Sequence, residues 1–122
     1  MNKHILIVDD EAEIRDLLAQ YLGSAGFRTT TAATPAEAFA VVHRDPPHLV
    51  ISDLQLEESD GLAMLEKIRV LLPGVPLVLL TGVLFDQEVV DRTLSQKISC
   101  YIEKTAPLSR VLSEVRRLTS AP

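Results

Sequence analysis

The chain has 122 residues, is 47% hydrophobic and 24% charged, and carries a formal net charge of −5. That balance fits one globular domain burying roughly two-thirds of the surface its unfolded chain exposes, and it excludes disorder and low complexity. The acidic balance supplies no basic stripe for nucleic acid, a single cysteine (Cys100) excludes an internal disulfide, and no apolar run approaches the ~20 residues of a membrane span. Met1-Asn2-Lys3-His4 leads into only four apolar residues before Asp9, too short a run for a signal-peptide core. A cytoplasmic protein with no membrane segment is expected.

Ile5-Leu6-Ile7-Val8 reads as a buried strand. From Glu11 onward, Ile14, Leu17, Leu18, Tyr21, Leu22 and Ala25 recur at the spacing of one helix face, and Gly26 is the stop. Arg28 to Ala33 is a second strand whose Thr29-Thr30-Thr31 suits a sheet edge. Thr34-Pro35-Ala36-Glu37 combines a capping box with proline at the first helical position, opening a helix to about His43. Leu49-Val50-Ile51 forms a third strand ending at Ser52-Asp53. Asp60-Gly61 opens a third helix through Leu62, Leu65, Ile68 and Leu72, closed by Pro73-Gly74. Leu77-Val78-Leu79-Leu80 is a fourth strand ending at Thr81-Gly82. Residues 86–96 carry a ragged helical pattern, Cys100-Tyr101-Ile102 a short fifth strand, and Leu108, Val111, Leu112, Val115 and Leu118 a final helical stripe.

Five βα units whose first, third and fourth strands are apolar throughout predict an α/β fold, a doubly wound parallel sheet of the flavodoxin-like (βα)5 kind, covered on both faces. The polar second strand and the short fifth strand belong at edges, and right-handed crossovers then give the strand order 2-1-3-4-5. Residues 1–122 read as one domain, with 119–122 as the start of a linker.

In such sheets ligands bind beyond the carboxyl ends of the strands, where the strand order reverses. Asp9, Asp10 and Asp53 stand there, with Thr81 ending the fourth strand and Lys104 just past the fifth. Clustered carboxylates cannot all ionise without a cation among them. Mg²⁺, a hard ion held by one or two carboxylates plus waters and phosphate oxygens, meets that need. Asp53 can then act as a nucleophile forming an aspartyl-phosphate, with Lys104 and Thr81 neutralising and positioning the phosphoryl group. Taken singly these residues are an N-cap, a strand end, a β-former and a solvated charge. Their joint occurrence at four strand ends is what points to a site.

Those residues carry a resemblance. Ile5 to Asp10, Ile51-Ser52-Asp53 with Asp60-Gly61, Leu79 to Gly82, and Tyr101 to Lys104 together resemble the receiver domain of two-component response regulators, of the chemotaxis-regulator kind, over essentially the whole chain. The resemblance implies that Asp53 is the phosphoacceptor and that Asp9, Asp10 and the backbone carbonyl of Gln55, together with Asp53, bind Mg²⁺. It also implies that Lys104 contacts the phosphoryl group and that Thr81 and Tyr101 form a switch pair. It implies a bacterial signalling module rather than an enzyme. On the same resemblance, a sensor histidine kinase or phosphotransfer protein is the expected donor. The resemblance further implies that the face of the fourth helix, fifth strand and fifth helix addresses an attached output domain, a downstream partner or a phosphorylation-dependent homodimer, without nucleic-acid binding by the domain itself.

Two positions depart from the family pattern. Leu56-Glu57 stands where Met-Pro is usual, and Thr105 follows the lysine where the family has a cis-proline. A cis bond before threonine costs about 2.5–4 kcal/mol, and Pro107 can fix the last helix start by itself, so a trans Lys104–Thr105 bond is expected. A pseudo-receiver scaffold would tend to lose the acidic cluster or the lysine. A Mg²⁺-dependent phosphohydrolase would want a second acid where Gln55 stands. His4, His43 and His48 lack ligand spacing and read as surface or satisfied histidines, Cys100 as a small hydrophobe, and Val83-Leu84-Phe85 equally as partner surface or core.

Overall fold

Five parallel strands form the central sheet: β1 (His4–Val8), β2 (Arg28–Ala32), β3 (Leu49–Asp53), β4 (Leu77–Thr81) and β5 (Cys100–Glu103). Their order is β2-β1-β3-β4-β5, as the edge argument requires. The computed structural model describes residues 3–53, 55–56, 59–81 and 99–120. The helix expected over 86–96 and the Val83-Leu84-Phe85 segment lie outside these. Among the described residues the helices are α1 (Ala12–Ser24), α2 (Pro35–Arg44), α3 (Gly61–Leu71) and α4 (Leu108–Thr119). A short antiparallel pair, Gln55–Leu56 against Ser59–Asp60, links β3 to α3.

Strand alternation divides the core. Leu6, Val8, Val50, Leu77 and Leu79 face one side, where Ala38, Val41 and Val42 of α2 and Met64, Leu65 and Ile68 of α3 cover them. Ile5, Ile7, Leu49, Ile51, Val78, Leu80 and Ile102 face the other, under Leu18 and Leu22 of α1 and Val111 and Val115 of α4. Each such aliphatic side chain, fully withdrawn from water, contributes about 1.5–3 kcal/mol. Burial on both faces is why β1, β3 and β4 read as unbroken apolar runs. β2 pairs only with β1, and its threonines remain partly exposed.

The punctuation follows its expected chemistry. Thr34 Oγ1 accepts from the Glu37 N–H at 3.2 Å, with Pro35 opening α2. Gly26 adopts φ 103°, and Phe27 N–H reaches back to the Leu22 carbonyl at 3.1 Å, the left-handed stop that favours glycine. Leu17 differs from its place on the apolar stripe: it is 52% exposed. α3 closes at Leu71, and buried Arg69 donates to the carbonyls of Pro73 (3.2 Å) and Val75 (3.0 Å) beyond its end. No cis peptide occurs among the described residues, so the Lys104–Thr105 bond is trans. Pro107 stands one residue before α4 rather than inside it.

At the amino ends of the strands, His4 is fully buried. Its ring Nε2 hydrogen bonds with Thr30 Oγ1 at 2.7 Å, and its backbone N–H donates to His48 Nδ1 at 2.9 Å. His4 Nδ1 has no hydrogen-bond partner and lies 3.8 Å from Asp45 Oδ1, a carboxylate paired with Arg28. His43 and His48 are at the surface, whereas His4 is buried.

Candidate functional site

The opposite, carboxyl edge of the sheet brings together residues from distant parts of the sequence, and the backbone ladder places them. Asp9 follows β1 and its N–H donates to the Ala32 carbonyl at 3.1 Å, carrying the β1–β2 ladder one step past the strand. Lys104 follows β5 in the same way, its N–H donating to the Thr81 carbonyl at 2.9 Å. Asp53 is the last residue of β3, in register with Leu80, and Thr81 is the last of β4, in register with Glu103. Four strand ends therefore converge on the gap beside β1 and β3, the reversal point named from the sequence.

Carboxylate oxygens of Asp9, Asp10, Glu11 and Asp53 lie within 4.8 Å of one another. The Lys104 ammonium sits among them, donating to Asp53 Oδ2 at 2.7 Å and to Glu11 Oε1 at 2.7 Å, with Asp9 Oδ2 at 3.5 Å. Asp9 is fully buried and Asp53 nearly so. Asp9 Oδ1 accepts from the Glu11 N–H at 2.8 Å, which ties it to the first turn of α1, and its own carbonyl accepts from Arg15 Nη1 at 2.9 Å.

The electrostatics follow from burial and crowding. Burial raises the Asp9 carboxyl above its ordinary value, against the Glu11 N–H and the Lys104 charge, and the negative charges of Asp53 and Glu11 raise it further. For Lys104 burial alone would lower the ammonium, but hydrogen bonds to Asp53 and Glu11 and the charges of Asp9 and Asp53 outweigh it and push the group well above the ordinary lysine value. Lys104 is thus a fixed positive charge at neutral pH.

One ammonium among four carboxylates leaves negative charge uncompensated, and Asp9 Oδ2 is a buried oxygen without a hydrogen-bond partner. An all-oxygen donor set with such an orphaned acceptor fits a hard divalent cation. Thr81 is buried at the neighbouring strand end, its Oγ1 donating a long 3.5 Å contact to the Ile102 carbonyl. Tyr101 is partly buried. In-register pairing of Leu79 with Tyr101 and of Thr81 with Glu103 puts Thr81 and Tyr101 on the same sheet face as Leu77 and Leu79. Gln55 falls in the short antiparallel pair two residues beyond Asp53, opposite Asp60. Asp9, Asp10, Asp53 and Lys104 thus form one cluster, with Thr81 and Tyr101 at its β4–β5 flank.

Glu11 is the member that sequence reasoning passed over. An acid after Asp9-Asp10 at a helix start reads as a charge complementing the helix dipole. Only the fold brings it to a lysine 93 residues away.

The chain is similar to known proteins along most of its length. The response regulator receiver domain family matches residues 5–116. The chain is 40% identical over 79 residues to the transcriptional regulatory protein GlrR of Escherichia coli (strain K12), a match covering 65% of this chain and 18% of that protein's length. The receiver domain of NtrX from Brucella abortus superposes with a TM-score of 0.85 at 32% identity, over 97% of this chain and 99% of that one. A response regulator receiver domain protein (CheY-like) from Methanospirillum hungatei JF-1 superposes with a TM-score of 0.89 at 28% identity, covering 98% and 95%. Sequence and fold agree along nearly the whole length, and this chain belongs to the receiver domains of two-component response regulators.

Proposed function

We propose that the chain accepts a phosphoryl group onto Asp53 from the phosphohistidine of a sensor histidine kinase or a phosphotransfer protein. The observation that carries this reading is the Asp53 carboxylate held 2.7 Å from the Lys104 ammonium inside a buried acidic cluster. An Asp53 oxygen bonds to phosphorus as the phosphorus–nitrogen bond breaks, and the departing imidazole nitrogen keeps the electron pair. Phosphoryl transfer demands mainly positioning and charge neutralisation. Lys104 supplies a point charge for one phosphoryl oxygen, and Thr81 supplies a hydroxyl for another. Asp9 and Asp10, with Asp53 and the Gln55 carbonyl, would hold Mg²⁺, which neutralises charge on the transferring group.

The product is an acyl phosphate on the chain itself, so the domain assists its own phosphorylation and dephosphorylation rather than turning over an external substrate. Thr81 and Tyr101, sharing one sheet face, would relay the change to the helical surface beside β4 and β5, where an output domain, a downstream partner or a second copy reads it. A cytoplasmic bacterial module without direct nucleic-acid contact fits the acidic charge, and no helix among the described residues is long and apolar enough to cross a membrane. The intact cluster argues against a pseudo-receiver scaffold, and Gln55 in place of a second acid argues against a phosphohydrolase.

Incubation with Mg²⁺ and acetyl phosphate should add one base-labile phosphoryl group by intact mass, and Asp53→Asn should abolish it. Equal labelling of that variant would reject the assignment.

A further inference from the structure

Lys104 spends two of its three N–H donors at equal 2.7 Å distances, one on Asp53 and one on Glu11. The two acceptors differ in setting. Asp53 is buried at the base of the site, whereas the Glu11 side chain is 57% exposed and holds the ammonium from the solvent side. Glu11 occupies the N-cap position of α1, yet its side chain makes no capping hydrogen bond. The side chain at this helix start is directed to Lys104 instead. Its backbone is fixed meanwhile, because the Glu11 N–H is bound to Asp9 Oδ1.

An incoming phosphoryl group is an anion that must pass this solvent-side carboxylate and take over a donor of Lys104. Glu11 opposes it twice, by like charge and by sharing the ammonium. We propose that Glu11 is a positioning residue that competes with the phosphoryl group for Lys104 and slows the loading of Asp53. The inference rests on the phosphoacceptor reading above. An exposed ion pair is modest in strength, so the effect is a tuning of rate by roughly two- to fivefold, not an on–off switch.

The test compares initial rates of phosphorylation of the whole chain by acetyl phosphate with Mg²⁺, followed by intact mass, for the parent, Glu11→Gln and Asp53→Asn. Labelling of the parent and none of Asp53→Asn secures the underlying reading. An unlabelled parent, or a labelled Asp53→Asn, overturns that reading and this inference with it. Given a sound parent, Glu11→Gln should load about two to five times faster. The advantage should shrink as ionic strength rises from about 0.05 to 0.5 M, since screening weakens exposed charges; a purely structural effect of the substitution would not follow salt. In chelator, acetylation of Lys104 by an amine-reactive ester, referenced to Lys3 by peptide mapping, should quicken in Glu11→Gln. Loading equal to or slower than the parent, a salt-independent gain, or unchanged Lys104 acetylation would each overturn the role.

Discussion

His4 shows how a single side chain can couple the sheet to pH. Burial is the main reason its imidazole takes a proton less readily than the ordinary value of 6.5; the Arg28 charge adds to this, Asp45 opposes it, and the charge of His48 adds again. Between 6.5 and that lowered value the unfolded chain holds more protons than the folded one, so stability falls as pH falls through this window. The slope cannot exceed about 1.4 kcal/mol per pH unit for one proton. His4→Asn should flatten the stability–pH curve below pH 6.5, measured by urea melts at successive pH values. A parallel, merely displaced curve would show that other groups carry the acid sensitivity. The histidine's burial was not legible beforehand, because a polar residue at the head of an apolar run reads as the residue before the strand. The strand-end places of Asp53, Thr81 and Lys104 were legible, because each ends or follows a run that reads as a strand. Where a long side chain reaches depends on torsions that no spacing encodes, so the Glu11–Lys104 contact was not.

At the scale of elements, stability rests partly on the helix termini. Thr34→Ala removes the acceptor for the Glu37 N–H and should cost about 1 kcal/mol. Gly26→Ala places a Cβ at φ 103°, where space is open but the backbone conformation is strained, and should cost about 1–2 kcal/mol. Denaturant midpoints measure both. A Gly26→Ala loss no larger than that of an exposed helical substitution would mean the turn relaxes to negative φ. Strand and helix identities could be read from periodicity because burial on both faces confines polar residues in β1, β3 and β4 to the strand ends, while β2 kept its threonines at an edge. Leu17 is the instructive exception: periodicity assigns a helix face but not how much of that face its neighbours cover.

Across the whole molecule, charge is the exposed cost of the site. The net charge of −5 is concentrated in part at one sheet edge, where a buried Asp9 has its carboxyl raised by burial. Relieving that repulsion should stabilise the metal-free fold. Asp10→Ala, and Asp9→Asn, which keeps an acceptor for the Glu11 N–H, should each raise the melting temperature in chelator by a few degrees, about 1 kcal/mol. The same variants should gain less from added Mg²⁺ than the parent, because stabilisation by a ligand follows its affinity for the folded state. Thermal melts with and without Mg²⁺ measure both, and variants less stable than the parent in chelator would refute the electrostatic account.

The alternation of side chains along β4 also bears on how the two faces of the molecule can vary. Thr81 belongs to the layer of Leu77 and Leu79, while Val78 and Leu80 belong to the opposite layer with α1 and α4. The sheet is therefore a partition, with the Thr81 side chain on the side of Leu77 and Leu79 and its hydroxyl touching the Ile102 backbone carbonyl across the strand pair. The surface over α2 and α3 and the surface over α1 and α4 are thus backed by separate sets of core side chains, so substitutions that reshape one need not repack the other.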